Sequence, residues 1–312
     1  MLGHLAERNG RLYDQHYLSP VPTLRSVKFT YEGQTVPPMV LVKPGEVARF
    51  LSFYEVNIHL WESERYRDRY SDSLSGFMAL AQSPQRRNLK YLENYLLVLK
   101  PNGKMIMIAD DHTHAAYGFG LARRMQVLRD DAELFHVDEH KDNFTDRGVE
   151  KLFAENPSLY TLSQYCKTRL EIDSYLAYAC RAGYFKPSNI NYILTENLGR
   201  TEAPPYQPAG NTLKEGKMLL LEQVPEKMRK VIARGGSALL NRDIDILAYR
   251  HEPIFPEKKK AELAGVGEEW VMGHLMETAK IADFIFIATS PDYFNVSKAT
   301  VVRLIKAIVD AA

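Results

Sequence analysis

Cysteine is scarce in this chain, with only Cys166 and Cys180 among 312 residues. The two form no CxxC pair and no metal-ligand spacing. A disulfide framework and a thiolate zinc site are therefore not expected, and two unpaired thiols suit a reducing, cytoplasmic setting. Long apolar runs are also missing. No stretch approaches the roughly 18 residues of a membrane span, and the first nine residues carry His4, Glu7 and Arg8 in place of the apolar core of a signal peptide. Nor is there an excess of charge of one sign. Forty Lys and Arg against 39 Asp and Glu leave a net charge of +1, which predicts neither a nucleic-acid nor a membrane partner. Repeats and low-complexity tracts are absent. What remains is a globular composition, 45% hydrophobic and 25% charged, sufficient for a large core.

The chain changes character near residue 100. Residues 1–100 read as an N-terminal extension packing on the core, and 101–312 as a catalytic domain. In the extension, 26–31 alternates like a strand, Glu32-Gly33-Gln34 signals a turn, and 39–42 returns as a second strand. Helices are predicted over 64–81 and 85–99, the second on the apolar stripe of Leu89, Leu92, Leu96, Leu97 and Leu99. Pro101-Asn102-Gly103 then breaks the chain. Beyond it, short apolar runs at 105–109, 134–137, 191–194, 218–221, 238–241 and 284–288 read as strands. Helices are expected over 115–128, 147–154, 173–183, 257–264 and 268–281, with Ser297 capping a last one to Asp310. The Pro- and Gly-rich segment 199–216 reads as a long surface loop with a lid or substrate-binding role. Alternating strands and helices imply an α/β fold, a mainly parallel sheet with helices on both faces.

Three acidic clusters each follow an apolar run: Asp110-Asp111-His112, Asp138-Glu139-His140-Lys141-Asp142 and Asp243-Ile244-Asp245. Ligands of parallel sheets bind at the carboxyl ends of the strands, where these clusters fall. Asp138, His140 and Asp142 alternate, so an extended backbone aims them to one side, and Asp243 and Asp245 repeat the pattern. Four carboxylates and two imidazoles, with two carboxylates bridging, can hold two cations about 3.5–4 Å apart. A mononuclear zinc site needs only three protein ligands, and the surplus carboxylates would then be costly to bury. Oxygen-rich sets with some imidazole suit manganese and also accept zinc or iron, while the histidines disfavour calcium. Acidic residues after strands also cap helices and line turns, and each cluster taken alone admits that reading.

In this order the motifs resemble the arginase/deacetylase superfamily, whose ureohydrolase branch binds two manganese ions. The segment from about Lys104 to Phe294 is similar to an atypical branch that includes peptide arginases. The resemblance is carried by Ile-Ala-Asp-Asp-His-Thr-His-Ala, His-Val-Asp-Glu-His-Lys-Asp-Asn, Ile-Asp-Ser-Tyr-Leu with a following Ala-Gly, Asp-Ile-Asp-Ile and a terminal Ser-Pro-Asp. It implies an arginase-like three-layer α/β/α fold and two Mn2+ per chain. His112, Asp138, Asp142 and Asp243 would hold one ion, and Asp138, His140, Asp243 and Asp245 the other. Asp142 would also orient the attacking hydroxide. The family's guanidinium-binding glutamate has no match here, and Asp292 is the candidate replacement. The proton-shuttling histidine has none either, which leaves His114 as the candidate, with His136 also near the site in sequence.

The implied reaction is hydrolysis of peptidyl arginine to peptidyl ornithine and urea, with an arginine-containing precursor peptide as partner. No set of groups for the two ends of free arginine is apparent, which favours a peptide. Alternatives are a small-molecule ureohydrolase acting on arginine or agmatine, a zinc deacetylase-like amidohydrolase with a tyrosine donor, and a non-catalytic peptide-binding protein. Tyr54, Tyr66, Tyr70, Tyr91 and Tyr95 are candidates for a substrate cleft, a homo-oligomer contact or plain packing.

Overall fold

The computed structural model describes residues 27–31, 34–42, 95–100, 102–109, 112–138, 140–145, 159–168, 170, 173–244, 246, 268–289 and 298–312. The strands are β1 (Val27–Tyr31), β2 (Gln34–Val42), β3 (Tyr95–Leu99), β4 (Met105–Ala109), β5 (Glu133–Asp138), β6 (Ile190–Leu194), β7 (Lys217–Met218), β8 (Ala238–Asp243) and β9 (Phe284–Ala288). The helices are α1 (Ala115–Arg124), α2 (Leu159–Thr168), α3 (Tyr175–Arg181), α4 (Val224–Ala233), α5 (Glu268–Ile281) and α6 (Lys298–Ala311).

All nine strands join one sheet in the order β1-β2-β3-β4-β9-β8-β5-β6-β7. From β4 to β7 every pairing is parallel. β3 runs antiparallel to β4, β2 is parallel to β3, and β1 is antiparallel to β2. The central strands β4, β5 and β9 are buried along their whole length. That is the condition under which a strand reads as an unbroken apolar run. Alternate residues serve opposite faces. Ile106, Ile108, Leu240 and Ile285 pack in one core cluster with Met228 of α4, Leu275 of α5 and Ile305 of α6. Met105, Met107, Leu239 and Phe284 pack in another with Phe119 of α1, Leu162 of α2 and Leu176 of α3. The result is a three-layer α/β/α fold, as expected.

Several elements depart from the sequence reading. Of the predicted helix over 85–99, residues 85–94 lie outside the described residues and Tyr95–Leu99 is a strand, because it inserts between β2 and β4 and finds a ladder on both sides. β2 begins earlier than expected, with Pro37 and Pro38 inside it. Its pairing to β1 runs Phe29↔Val36 and then Val27↔Met39, so the prolines sit where the register shifts. A bulge tolerates residues that cannot donate to the ladder. Of the run 218–221 only Met218 lies in a strand, the two-residue β7, before a 3-10 turn at Leu221–Gln223 leads into α4, a helix the apolar pattern did not suggest. α2 was likewise unanticipated. The helices predicted over 64–81, 147–154 and 257–264, and the Ser297 cap, lie outside the described residues.

α1 approaches its neighbours through glycine. A Cβ on Gly120 would meet Leu162 Cδ2 at 2.6 Å and the Tyr184 hydroxyl at 2.8 Å. Leu162 is fully buried. Gly120→Val should lower stability by about 2 kcal/mol, within the usual range for overpacking, since valine returns little helix propensity over glycine. Urea denaturation measures it, and an unchanged midpoint would mean that α1 and α2 part freely.

Candidate metal centre

The sheet register assembles the centre. Val137 pairs with Arg242, Asp243 with Ala288, and Ala288 with Ala109. Asp138, one residue beyond Val137, therefore lies level with Asp243 at the carboxyl edge, and the chain leaving β4 at that level turns into the 3-10 helix His112–His114. Two residues back on the same face lies a second row, in which Tyr192, His136, Asn241, Phe286 and Met107 are successive register partners.

Nδ1 of His112 faces three carboxylates. Oδ2 of Asp138 is 2.8 Å away, Oδ2 of Asp142 3.2 Å and Oδ2 of Asp243 3.3 Å. All four residues are buried, His112 and Asp138 completely. Despite the short separation, His112 Nδ1 and Asp138 Oδ2 make no hydrogen bond of acceptable geometry. The atoms converge on a common region rather than pointing at each other. Donor atoms bound to one divalent cation at about 2.0–2.2 Å lie about 3 Å apart, so the side chains present fit a metal ion. The other oxygen of Asp138 is committed to the protein, accepting the backbone N–H of His140 at 2.6 Å.

His112, His136 and Asp138 each also offer a ligand-type atom, all within 4.8 Å of one another. His136 is engaged elsewhere, however. Its Nε2 bonds the His140 carbonyl oxygen at 2.9 Å, while its Nδ1 faces Asn241 Nδ2 at 3.2 Å and the Tyr175 hydroxyl at 3.3 Å. Burial lowers its pKa to about 4, so it is neutral. The ring takes its place behind the carboxylates.

The electrostatics follow from packing three carboxylates in a dry site. Burial, then the charge of Asp138, pushes the Asp142 carboxyl up to about 8. Burial opposes ionisation of Asp138 too, but the close approach of the His112 and His140 rings overcomes it and holds Asp138 well below the carboxylate range. Burial likewise works against a charged His112, and is outweighed by the nearby carboxylates of Asp138, Asp142 and Asp243, which raise it well above an ordinary histidine. Asp142 and His112 thus hold protons where cations fit. Asp142 also has φ of +45°, a left-handed conformation that costs a non-glycine residue about 1–3 kcal/mol and collects at functional sites.

The other site residues divide clearly. His140 lies at the rim, about half exposed, with Nδ1 3.5 Å from Asp138 Oδ1. His114 is buried in the turn that carries His112, at the N-cap of α1. Asp110, Asp111, Glu139, Asp245 and Asp292 lie outside the described residues. Asn241 and Tyr175 were not singled out from the sequence. Alternation back from Asp243 marks Asn241, and the Ile-Asp-Ser-Tyr-Leu motif contains Tyr175. Arg242, between Asn241 and Asp243, faces the opposite side of the sheet. It is fully buried, and its guanidinium has no hydrogen-bond acceptor among the described residues. Burial lowers it to about 9 against the opposing pull of Asp243, so it stays charged. Cys166 and Cys180 are unbridged.

The expected loop at 199–216 is without helix, and an isolated bridge pairs its Thr212 with Phe144. It is tied to the strand-end loop that carries Asp142. Leu213 N–H donates to Asn143 O at 3.0 Å and Thr145 N–H to Asn211 O at 2.7 Å. Asn143 Nδ2 donates to the Tyr206 hydroxyl at 2.8 Å, and Tyr206 stacks on Tyr192 with ring centroids 5.3 Å apart.

Among the described residues no helix is long and apolar enough to cross a membrane. No protein-family model matches the sequence, and no curated protein matches it. Solved structures align with part of the chain. The proclavaminate amidino hydrolase of Streptomyces clavuligerus aligns with a TM-score of 0.39 and 12% identity, over 66% of this chain and 63% of its own. The Entamoeba histolytica arginase, solved with L-ornithine, aligns with a TM-score of 0.37 and 17% identity, over 65% of this chain and 69% of its own. The Trypanosoma cruzi formiminoglutamase, solved with Mn2+, aligns with a TM-score of 0.37 and 12% identity, over 74% of this chain and 72% of its own.

Proposed function

We propose that this chain is a manganese-dependent hydrolase of guanidinium groups that converts arginine residues of a precursor peptide to ornithine, releasing urea. The observation that carries the reading is the convergence of Asp138, Asp142 and Asp243 on Nδ1 of His112 in a buried pocket at the sheet edge. The guanidinium substrate is supported by the order of the three acidic motifs along the sequence and their resemblance to ureohydrolases. His112, Asp138, Asp142 and Asp243, with His140 and Asp245, are the proposed ligands of two cations. When bound, these ions would generate a nucleophile from water at neutral pH and stabilise negative charge as it develops.

The side chains have distinct tasks in this reading. Asp138 ties the loop at His140 with one oxygen and keeps the other for the centre. Asp142 gives up its proton on metal loading and then orients the attacking water through its carboxylate. Asp292 pairs with the substrate guanidinium, since a carboxylate can accept two parallel N–H bonds from it. His114, two residues beyond His112, carries the proton to the departing amine. Water adds to the guanidinium carbon, the bond to the side-chain nitrogen breaks, and urea and a primary amine result.

The test is incubation with manganese and three substrates: an Arg-containing precursor peptide, free arginine and agmatine. The expected result is loss of CH2N2 from each processed peptide arginine, with one urea released per residue changed. Turnover of free arginine or agmatine alone would overturn the peptide assignment. Hydrolysis of an N-acyl amine by protein holding one zinc, with no urea from any guanidine, would overturn the reaction itself. The Tyr175 hydroxyl, a candidate donor in a deacetylase-like reading, accepts from Asn241 Nδ2 at 2.7 Å and lies 3.3 Å from His136 Nδ1.

A further inference from the structure

Behind the carboxylates lies a continuous buried chain of polar groups. His112 Nε2 is 3.0 Å from Asn241 Oδ1 and 3.0 Å from the Tyr175 hydroxyl. Asn241 Nδ2 donates to the Tyr175 oxygen at 2.7 Å. The Tyr175 hydroxyl is 3.3 Å from His136 Nδ1, and His136 Nε2 is 2.9 Å from the His140 carbonyl oxygen. His112, His136, Asn241 and Tyr175 are all fully buried.

One assignment of donors satisfies every contact of the chain. A carbonyl oxygen cannot donate, so His136 carries its hydrogen on Nε2 and accepts at Nδ1. That Nδ1 has two donors within reach, Asn241 Nδ2 at 3.2 Å and the Tyr175 O–H at 3.3 Å, and the Tyr175 oxygen accepts from Asn241 Nδ2. Asn241 accordingly presents its oxygen to His112, which must carry a hydrogen on Nε2. Reversing any one member leaves a donor against a donor or a lone pair against a lone pair, and in a dry interior such a mismatch is heavily penalised. The rings are held by packing as well. His112 lies parallel to Phe286, with centroids 6.1 Å apart and planes 5° apart, and Tyr175 covers it at 4.8 Å.

We infer that Asn241, Tyr175 and His136 are positioning residues, a relay running from the His140 carbonyl that fixes His112 as the Nε2–H tautomer with its Nδ1 lone pair aimed at the carboxylates. The inference rests on the proposed metal centre for its purpose; the Nε2-bound hydrogen is a property of the protein alone, whereas Nδ1 presents its lone pair once a metal displaces the proton held there among the carboxylates. His140 thereby enters the centre through its backbone twice, donating to Asp138 and terminating the relay. Asn241 is placed to do this because it is two residues before Asp243 on the same strand face, and because it pairs directly with His136.

Asn241→Leu removes the acceptor at nearly constant volume, whereas Asn241→Asp retains it. Partners that orient a ligating histidine typically change metal affinity by about 10–100-fold. Asn241→Leu should therefore weaken manganese binding by about that factor, measured by titration calorimetry. Asn241→Asp should stay within a few-fold of the parent, and circular dichroism of the metal-free proteins should be unchanged. Tyr175→Phe provides a second variant, removing the hydroxyl donor to His136 and weakening manganese binding in the same direction as Asn241→Leu. A purely structural role would instead spare the isosteric leucine and penalise the buried aspartate. Nitrogen-15 spectra of histidine-labelled protein loaded with diamagnetic zinc give an independent readout. They should show slowly exchanging Nε2-bound hydrogens on His112 and His136, with the His112 signal lost in Asn241→Leu. An Nδ1-bound hydrogen on His136, or wild-type affinity in Asn241→Leu, would overturn the relay. If the parent binds no metal, the proposed reaction fails, and the two Nε2-bound hydrogens are then read in the metal-free protein.

Discussion

Asp138→Asn is expected to reduce turnover on the order of a thousandfold while leaving the fold intact. The asymmetry comes from the two oxygens of one carboxylate. Oδ1 accepts the His140 N–H, and an asparagine oxygen can do the same, so the loop after β5 keeps its anchor. Oδ2 faces His112 Nδ1 at 2.8 Å, and an amide nitrogen there presents hydrogens where a cation needs a lone pair. Charge stabilisation by a metal is worth several kcal/mol of barrier, and each 1.4 kcal/mol is a factor of ten in rate. Bound manganese should fall by at least one equivalent, measured by elemental analysis after gel filtration. The unfolding midpoint in chelator should stay close to the parent's. A variant that keeps full manganese and full activity would remove Asp138 from the centre.

Manganese affinity should rise about tenfold per pH unit for each proton displaced between pH 6 and 8. The sign follows from the two raised groups. The Asp142 carboxyl has its folded value pushed up to about 8, far above its unfolded value, and His112 is raised well above 6.5. For both, the native state binds a proton that the unfolded chain has released. Their contribution to stability is full below the unfolded pKa and is lost as pH climbs through the folded one. For Asp142 that window runs from about 4 to about 8. The metal-free protein should therefore unfold at lower urea at pH 8 than at pH 6. A cation replaces those protons, so loading releases them and gains most where the metal-free protein is weakest. Calorimetry in buffers of different ionisation enthalpy counts the protons. Binding without release, or affinity that falls with pH, would show that these acids do not meet the metal.

The sequence made some of this legible and hid the rest for physical reasons. β4, β5, β8 and β9 stood out because burial on both faces demands unbroken apolar runs. α5 and β9 have the predicted bounds, since Ala282 and Asp283 separate a clear helical stripe from a clear strand. The strand at Tyr95–Leu99 did not stand out. Its leucines also fit a helical stripe extending back to Leu89, and only pairing with β2 and β4, distant in sequence, decides between the two. In the centre, His112, Asp138, Asp142 and Asp243 announced themselves as ligand types at strand ends. Asn241 and Tyr175 did not, because an amide and a phenol carry no ligand signature. Their importance arises from being walled in together, and burial of that kind is settled by the packing of β5, β8 and α3.

The ties between the 199–216 loop and residues 143–145 change what that loop can be. Surface loops ordinarily absorb insertions at small cost. Here residues 206–213 are pinned beside Asp142, whose backbone is already held in a left-handed turn. Swinging that segment outward would drag a carboxylate away from His112. A hinge for substrate entry would therefore have to lie ahead of Tyr206, and loop length after it bears on the placement of Asp142 as much as on access. Two stretches of chain about 70 residues apart are, mechanically, one part.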